Sequence, residues 1–80
     1  MVVYKVKLFG PLIDFHGSDI VELSYENNVT SGVLIKSLNK VFKNSGYQEF
    51  VFSVKASFCN EDIAVFPEDE LAFLPPFAGG

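Results

Sequence analysis

Only one stretch of this chain, Val29 to Phe42, repeats its apolar residues with a period near 3.6, and the sequence on either side of it mostly alternates with a period of two. Stepping 100° per residue from Leu34 places Ile35, Leu38, Val41 and Phe42 within an arc of about 120°. Lys36, Lys40 and Lys43 fall on the opposite side. Thr30 stands where a helix N-cap belongs, its hydroxyl able to accept a first-turn amide. Val29 and Leu34 occupy the two positions of a hydrophobic staple. Gly46 is a suitable stop. A lone amphipathic helix has no second helix to cover its apolar side, so it must lie on a sheet.

The strands are read from alternation. In Val3 to Phe9, Tyr4, Val6 and Leu8 share one face and Lys5 and Lys7 the other. Gly10-Pro11 ends that run, and Leu12 to Ser18 reads as a connecting segment with two exposed apolar residues, Ile13 and Phe15. Asp19 to Tyr25 forms a second strand, with Val21, Leu23 and Tyr25 on one side. After the helix, Phe52, Val54, Ala56 and Phe58 alternate with Ser53, Lys55 and Ser57, which predicts one strand through this region. Cys59 to Asp62 is a turn, Ile63 to Phe66 a short strand, Pro67 to Glu70 a second turn, and Leu71 to Leu74 a last strand stopped by Pro75-Pro76.

The order is strand, strand, helix, strand, strand, strand. One helix between two hairpin-like sets has to cross one face of a mixed sheet, and the handedness of crossovers leaves few arrangements. The fold class expected is α+β: a β-grasp, ubiquitin-like, with a mixed sheet of about five strands and one main crossover helix. Residues 1–80 read as a single domain with a flexible tail at 75–80.

Composition narrows the function classes. Ten acidic residues against six lysines give a net charge of −4, which argues against a nucleic-acid face. An apolar fraction of 49%, with nine Phe and three Tyr, is too high for a disordered chain. One cysteine leaves no internal disulfide, and no Cys/His cluster has zinc spacing. The N-terminus lacks the apolar core of a signal peptide, and no uncharged stretch approaches the roughly 20 residues of a membrane span. The expectation is a soluble, cytoplasmic domain with no nucleic-acid or membrane partner.

The chemistry lies in the last six residues, Pro75-Pro76-Phe77-Ala78-Gly79-Gly80. Two prolines force the chain to leave the sheet extended. Residues without bulky side chains can then thread a narrow channel, glycine adopting whatever backbone angles the channel imposes. What such a tail delivers is the Gly80 carboxylate, ionised at neutral pH and a poor electrophile until a partner activates it. The sequence has no Walker-type loop and no G-x-G-x-x-G, so any nucleotide chemistry has to come from another protein.

The run Asp69-Glu70-Leu71-Ala72-Phe73-Leu74-Pro75-Pro76-Phe77-Ala78-Gly79-Gly80 resembles the C-terminal signature of the small, sulphur-carrier subunit of molybdopterin synthase, the MoaD family, related to the ThiS-like carriers. Leu8-Phe9-Gly10 and Asn60-Glu61 resemble that family as well, and the resemblance covers essentially the whole chain. Two features depart from it: no basic residue follows Phe9-Gly10, and Pro67-Glu68 replaces the glycine common before the last strand. The resemblance implies that an E1-like enzyme adenylates Gly80, that a sulphur donor converts it to a thiocarboxylate, and that the sulphur passes to a pterin precursor in molybdenum cofactor biosynthesis. By this resemblance Gly80 carries the sulphur and Gly79 gives slim access. The partner-binding segment is Phe73, Leu74, Pro75, Pro76, Phe77, Ala78 and Gly79. No independent catalysis, bound cofactor or metal is expected of the chain, ATP being used by the activating partner. The implied assembly is a heterotetramer with the large subunit. The alternatives are a ubiquitin-like modifier conjugated through Gly80, a sulphur carrier for thiamine synthesis or transfer-RNA thiolation, and an interaction domain with an incidental glycine end.

Other residues have simpler readings. Cys59 lacks a neighbouring base or cation in sequence and reads as structural. His16 reads as solvent-facing, and Lys36, Lys40 and Lys43 as a solvated helix face. Phe42, Phe52 and Phe58 are expected in the core, while Phe73 and Phe77 are expected in an apolar docking patch near the tail. Glu68, Asp69 and Glu70 would steer a basic partner groove, and a plain solvated turn accounts for them equally.

Overall fold

The computed structural model describes residues 1–76. Strand β1 (Val2–Leu8) is followed by a short helix α1 (Pro11–His16), strand β2 (Ile20–Tyr25) and the main helix α2 (Ser31–Val41). Strands β3 (Val51–Val54), β4 (Ser57–Phe58) and β5 (Leu71–Leu74) complete the element order. The five strands form one sheet in the order β2-β1-β5-β3-β4. β1 and β5 are parallel, with Val6 beside Leu71 and Leu8 beside Phe73, and every other pairing is antiparallel. The central strand is therefore β5, the one that leads into the tail.

Alternation places the inner face as the sequence reads it. Tyr4, Val6 and Leu8 of β1, Val21 of β2, Phe52 of β3 and Leu71 and Phe73 of β5 are buried, together with Leu34 and Leu38 of α2 and the capping Phe42. Burying each of the two helix leucines contributes about 1.5–3 kcal/mol. Val41, expected on the same arc, is instead exposed: the helix ends there, and Phe42 caps it with its amide on the Leu38 carbonyl at 3.0 Å. The end falls short of Gly46, so Lys43 stands beyond the helix and only Lys40 faces its C-terminal dipole.

Three further expectations need correction. The segment after Gly10 is not an open connection but the helix α1, with Pro11 in its first turn and Gly17 at φ 88° closing it through a 2.8 Å bond to the Ile13 carbonyl. It inserts Leu12, fully buried, into the core, with Ile13 packed against it; Phe15 lies 5.7 Å from the Phe42 ring. The alternating run at 52–58 is not one strand but a tight hairpin. Lys55 and Ala56 turn the chain at φ 53° and 64°, both positive, as in the mirror-image turns that join two-residue hairpins. The turn brings Phe58 opposite Ser53, on the outer face of the sheet, where it is 62% exposed rather than in the core. Finally, Ile63–Phe66 is extended but forms no strand; it is tied down by a single bridge between Thr30 and Ala64 and by the buried Val65.

Thr30 is the N-cap of α2, in extended conformation, yet its hydroxyl caps no amide of the helix. The capping oxygen comes from Asp62, thirty residues away, whose Oδ1 accepts the Gly32 N–H at 2.8 Å. The Thr30 hydroxyl and, secondarily, the Gly32 amide hold the Asp62 carboxyl below the usual carboxylate range, against a small opposing effect of desolvation. Ser31, fully buried, ties down the same loop: its Oγ donates to the Glu61 carbonyl at 3.1 Å and accepts the Ile63 amide at 2.9 Å.

Candidate functional site: the root of the tail and the outer sheet face

β5 is bonded on both sides, so the chain passes from Leu74 into Pro75 and Pro76 out of the middle of the sheet, not from a loose edge. Val51 pairs with Leu74 on one side, and Leu8 pairs with Phe73 on the other. Pro75 and Pro76 are half-buried, and neither proline has an amide hydrogen with which to extend the ladder. Phe77, Ala78, Gly79 and Gly80, which the sequence marks as the docking and reacting end, lie outside the described residues.

The remaining predicted docking residues divide by the parity of the strand. Leu74 is half-buried on the outer face. Phe73, one residue earlier, points inward and is 1% exposed, with its ring 4.7 Å from Phe50 and 5.6 Å from Phe42. Phe73 is thus a core residue, and the expectation that it forms part of a docking patch is corrected: successive side chains of a strand cannot both face the same partner.

On the outer face an open groove of about 570 Å³ runs beside the tail root. Its floor is Ala72, Leu74 and Ser53, its walls are Phe9, Ile20 and Phe58, and it holds Lys5 and Lys7 together with Asp69 and Glu70. Lys7 lies 5.3 Å from the centre of the Phe9 ring, a cation–π contact that keeps the ammonium over the apolar wall. Sequence reading missed this groove. Its signal was available in Leu71-Ala72-Phe73-Leu74, an unbroken apolar run where a one-sided strand would alternate, and in Phe9 and Ile20 standing on the polar faces of their strands.

Of the three acidic residues before β5, Asp69 is engaged within the domain. Its Oδ2 accepts the Phe66 amide at 2.9 Å, its own amide bonds the Phe66 carbonyl at 3.0 Å, and Oδ1 lies 3.8 Å from Lys55. Glu68 and Glu70 are exposed. Cys59 is half-buried, its thiol donating to the Glu61 carbonyl at 3.0 Å and lying 3.6 Å from the Ser31 hydroxyl, a packing role at the foot of α2. His16 is exposed at the end of α1, with its ring 5.9 Å from that of Phe42, and Lys36, Lys40 and Lys43 are exposed as read. Among the described residues no group of three His, Cys, Asp or Glu side chains is placed to hold a metal ion, and no helix is long and apolar enough to cross a membrane.

Comparison with known proteins gives the fold its relatives. SAMP1 from Haloferax volcanii superposes with a TM-score of 0.74 at 22% identity, covering 98% of this chain and 99% of that one. A second crystal structure, of H. volcanii small archaeal modifier protein 1, gives 0.75 at 20% identity over 96% and 100% of the two chains. A Pyrococcus furiosus protein described as molybdopterin converting factor, subunit 1, gives 0.74 at 23% identity, again over 96% and 100%. No curated protein matches the sequence. The ThiS family model matches residues 6–80. With its mixed five-stranded β-grasp and this match across nearly the whole sequence, the chain belongs to the ThiS family.

Proposed function

We propose that this protein is a sulphur carrier that works through Gly80, as the small subunit of molybdopterin synthase. The observation that carries the reading is the sequence Pro75-Pro76-Phe77-Ala78-Gly79-Gly80 continuing directly from the central strand of a ThiS-family domain. A rigid base and a slender end are what a carrier needs, because the end enters another protein's active site while the domain is held outside it.

In this scheme an E1-like enzyme binds the outer face beside the tail root. A Gly80 carboxylate oxygen attacks the α-phosphorus of ATP, and pyrophosphate leaves. A sulphur nucleophile at the sulphide level then attacks the acyl carbon and displaces AMP, giving the thiocarboxylate. The loaded tail next enters the large subunit, where the sulphur is transferred to a pterin precursor. Leu74 and Phe9 supply apolar contact at the base of the tail, and Phe77 extends it. Fixing each tail residue on binding costs roughly 1–2 kcal/mol of backbone entropy, which these contacts must offset. The Pyrococcus furiosus structure, described as a molybdopterin converting factor subunit, supports the assignment to this pathway.

The two Haloferax structures, described as SAMP1 and a small archaeal modifier protein, favour a second reading in which Gly80 is joined to lysines of target proteins. Activation begins in the same way in both. The test is incubation of the full chain with its activating enzyme, ATP and a sulphide donor, followed by intact-mass measurement. Carrier function gives exchange of one terminal oxygen for sulphur; an unchanged mass with a competent activating enzyme overturns it. Isopeptide-linked conjugates that vanish when Gly80 is deleted, without any sulphur loading, establish the modifier reading instead.

A further inference from the structure

A second hollow adjoins the groove at the tail root, sharing Phe58 and Asp69 with it, and opens on the hairpin side of the domain. Phe58, Ile63 and Phe66 are 62%, 39% and 45% exposed, and they line this hollow of about 550 Å³ beside the β3–β4 hairpin. The hollow lies against β4, the edge of the sheet. The Cys59 amide bonds the Phe52 carbonyl at 2.8 Å, so residues 57 and 59 turn their polar groups toward β3. By antiparallel alternation the N–H and C=O of Phe58 turn the other way, toward the open edge. An exposed aromatic ring, two further apolar side chains and an outward-facing peptide pair therefore meet at one place.

Acidic side chains outnumber cations around the hollow. Glu61 and Asp69 line it and Glu68 is exposed in the turn after Phe66, while its one cation, Lys55, lies 3.8 Å from Asp69. A second copy of this chain would bring the same acids against themselves, and the net charge of −4 adds to that repulsion. Complementarity requires a basic partner. We propose that the β4 edge and this hollow take an extended segment of a partner protein in which lysine or arginine alternates with apolar side chains. The segment's backbone pairs with Phe58, an apolar side chain enters against Phe58, Ile63 and Phe66, and its cations meet Glu61 and Glu68. This contact is independent of the chemistry assigned to Gly80, and it would position a partner from the hairpin side of the domain.

The test is an amide-resolved NMR titration of the full chain with the capped hexapeptide Lys-Val-Arg-Val-Lys-Ile and with a twin carrying glutamate at the three basic positions. The basic peptide is expected to shift the amides of residues 57–60 and 63–66. Phe58→Ser should weaken it about tenfold, as loss of an aromatic anchor does. Glu61→Lys should weaken it about fivefold, as reversal of an exposed charge does. Both side chains are exposed, so unchanged unfolding midpoints will show that the variants still fold. No shift with the basic peptide, equal binding of the acidic twin, or shifts confined to Lys5–Phe9 and Ala72–Leu74 would each overturn the proposal.

Discussion

The Tyr4 hydroxyl, at the start of the chain, donates a 3.0 Å hydrogen bond to the Val65 carbonyl and accepts another of 3.0 Å from the Val29 amide. One fully buried phenol thereby joins β1, the approach to α2 and the extended segment before the last turn. Its ring also meets Tyr25 edge-on at 6.0 Å, and the Tyr25 hydroxyl lies 2.6 Å from Ser37 Oγ on α2. Tyr4→Phe keeps the ring but leaves an amide and a carbonyl unpaired in the interior. The expected loss is about 1–3 kcal/mol, measured as a lower urea midpoint with an unchanged slope.

Asp62 gives the domain a specific acid sensitivity. Its carboxyl is held below its ordinary value by the Thr30 hydroxyl and the Gly32 amide, so the folded state binds the proton less readily than the unfolded one. The resulting stability is complete above the unfolded carboxyl's pKa, near 4, and is lost as pH falls through the folded value below it. Asp62→Asn should flatten the dependence of unfolding midpoint on pH below about 4. Gly32→Ala should do the same from the other partner, because a Cβ there would stand 2.7 Å from Asp62 Oδ1 and displace the carboxylate. Midpoints measured between mildly acidic and strongly acidic buffer check both.

At the β3–β4 turn, Ala56 holds φ 64° with no glycine to relieve it. An L-residue in that region costs about 1–2 kcal/mol, of which glycine's greater freedom in the unfolded chain takes back a part. Ala56→Gly is therefore expected to raise stability by about 0.5–1 kcal/mol, read by thermal or urea unfolding.

Phe73 and Leu74 separate stability from docking. Phe73→Ala empties a buried stack and should cost about 3–5 kcal/mol, comparable with the whole stability of a domain this small. Leu74→Ala, on the half-buried outer face, should cost about 1 kcal/mol while weakening binding of the activating enzyme by more than that. Unfolding curves and a direct binding titration on the same variant decide it. Equal losses in both would remove Leu74 from the docking surface.

The parts of the fold that could be read from sequence were those where one local signal had no rival. β1, β2 and α2 followed from Tyr4-Val6-Leu8, Val21-Leu23-Tyr25 and Leu34-Leu38, and their union with a closing strand at Leu71 was enough for the β-grasp. The hairpin was hidden because Lys55-Ala56 lacks the Asn-Gly signal of its turn type, while the residues around it keep an alternating pattern that runs straight through the reversal. α1 was hidden by its length, although Pro11 and Gly17 mark its two ends. The tail Pro75-Pro76-Phe77-Ala78-Gly79-Gly80 stood out by the order of its residues, and the chemistry proposed for it comes from the family resemblance that this order carries. The groove beside it left only a partial trace, in the unbroken apolar run of β5 and in Phe9 and Ile20 on polar faces, because its assembly depends on which strands become neighbours: Phe9, Ile20 and Leu74 converge only after β1 pairs with both β2 and β5.

The placement of β5 also has a mechanical consequence. A load applied to the residues after Pro76 reaches the fold at Leu74, in a strand laced to β1 on one side and β3 on the other. When that load runs along the strand, both ladders are sheared together and cannot be unzipped rung by rung from a border. An enzyme that grips the far end and tugs would therefore find an anchor that resists extraction until the middle of the sheet yields as a unit.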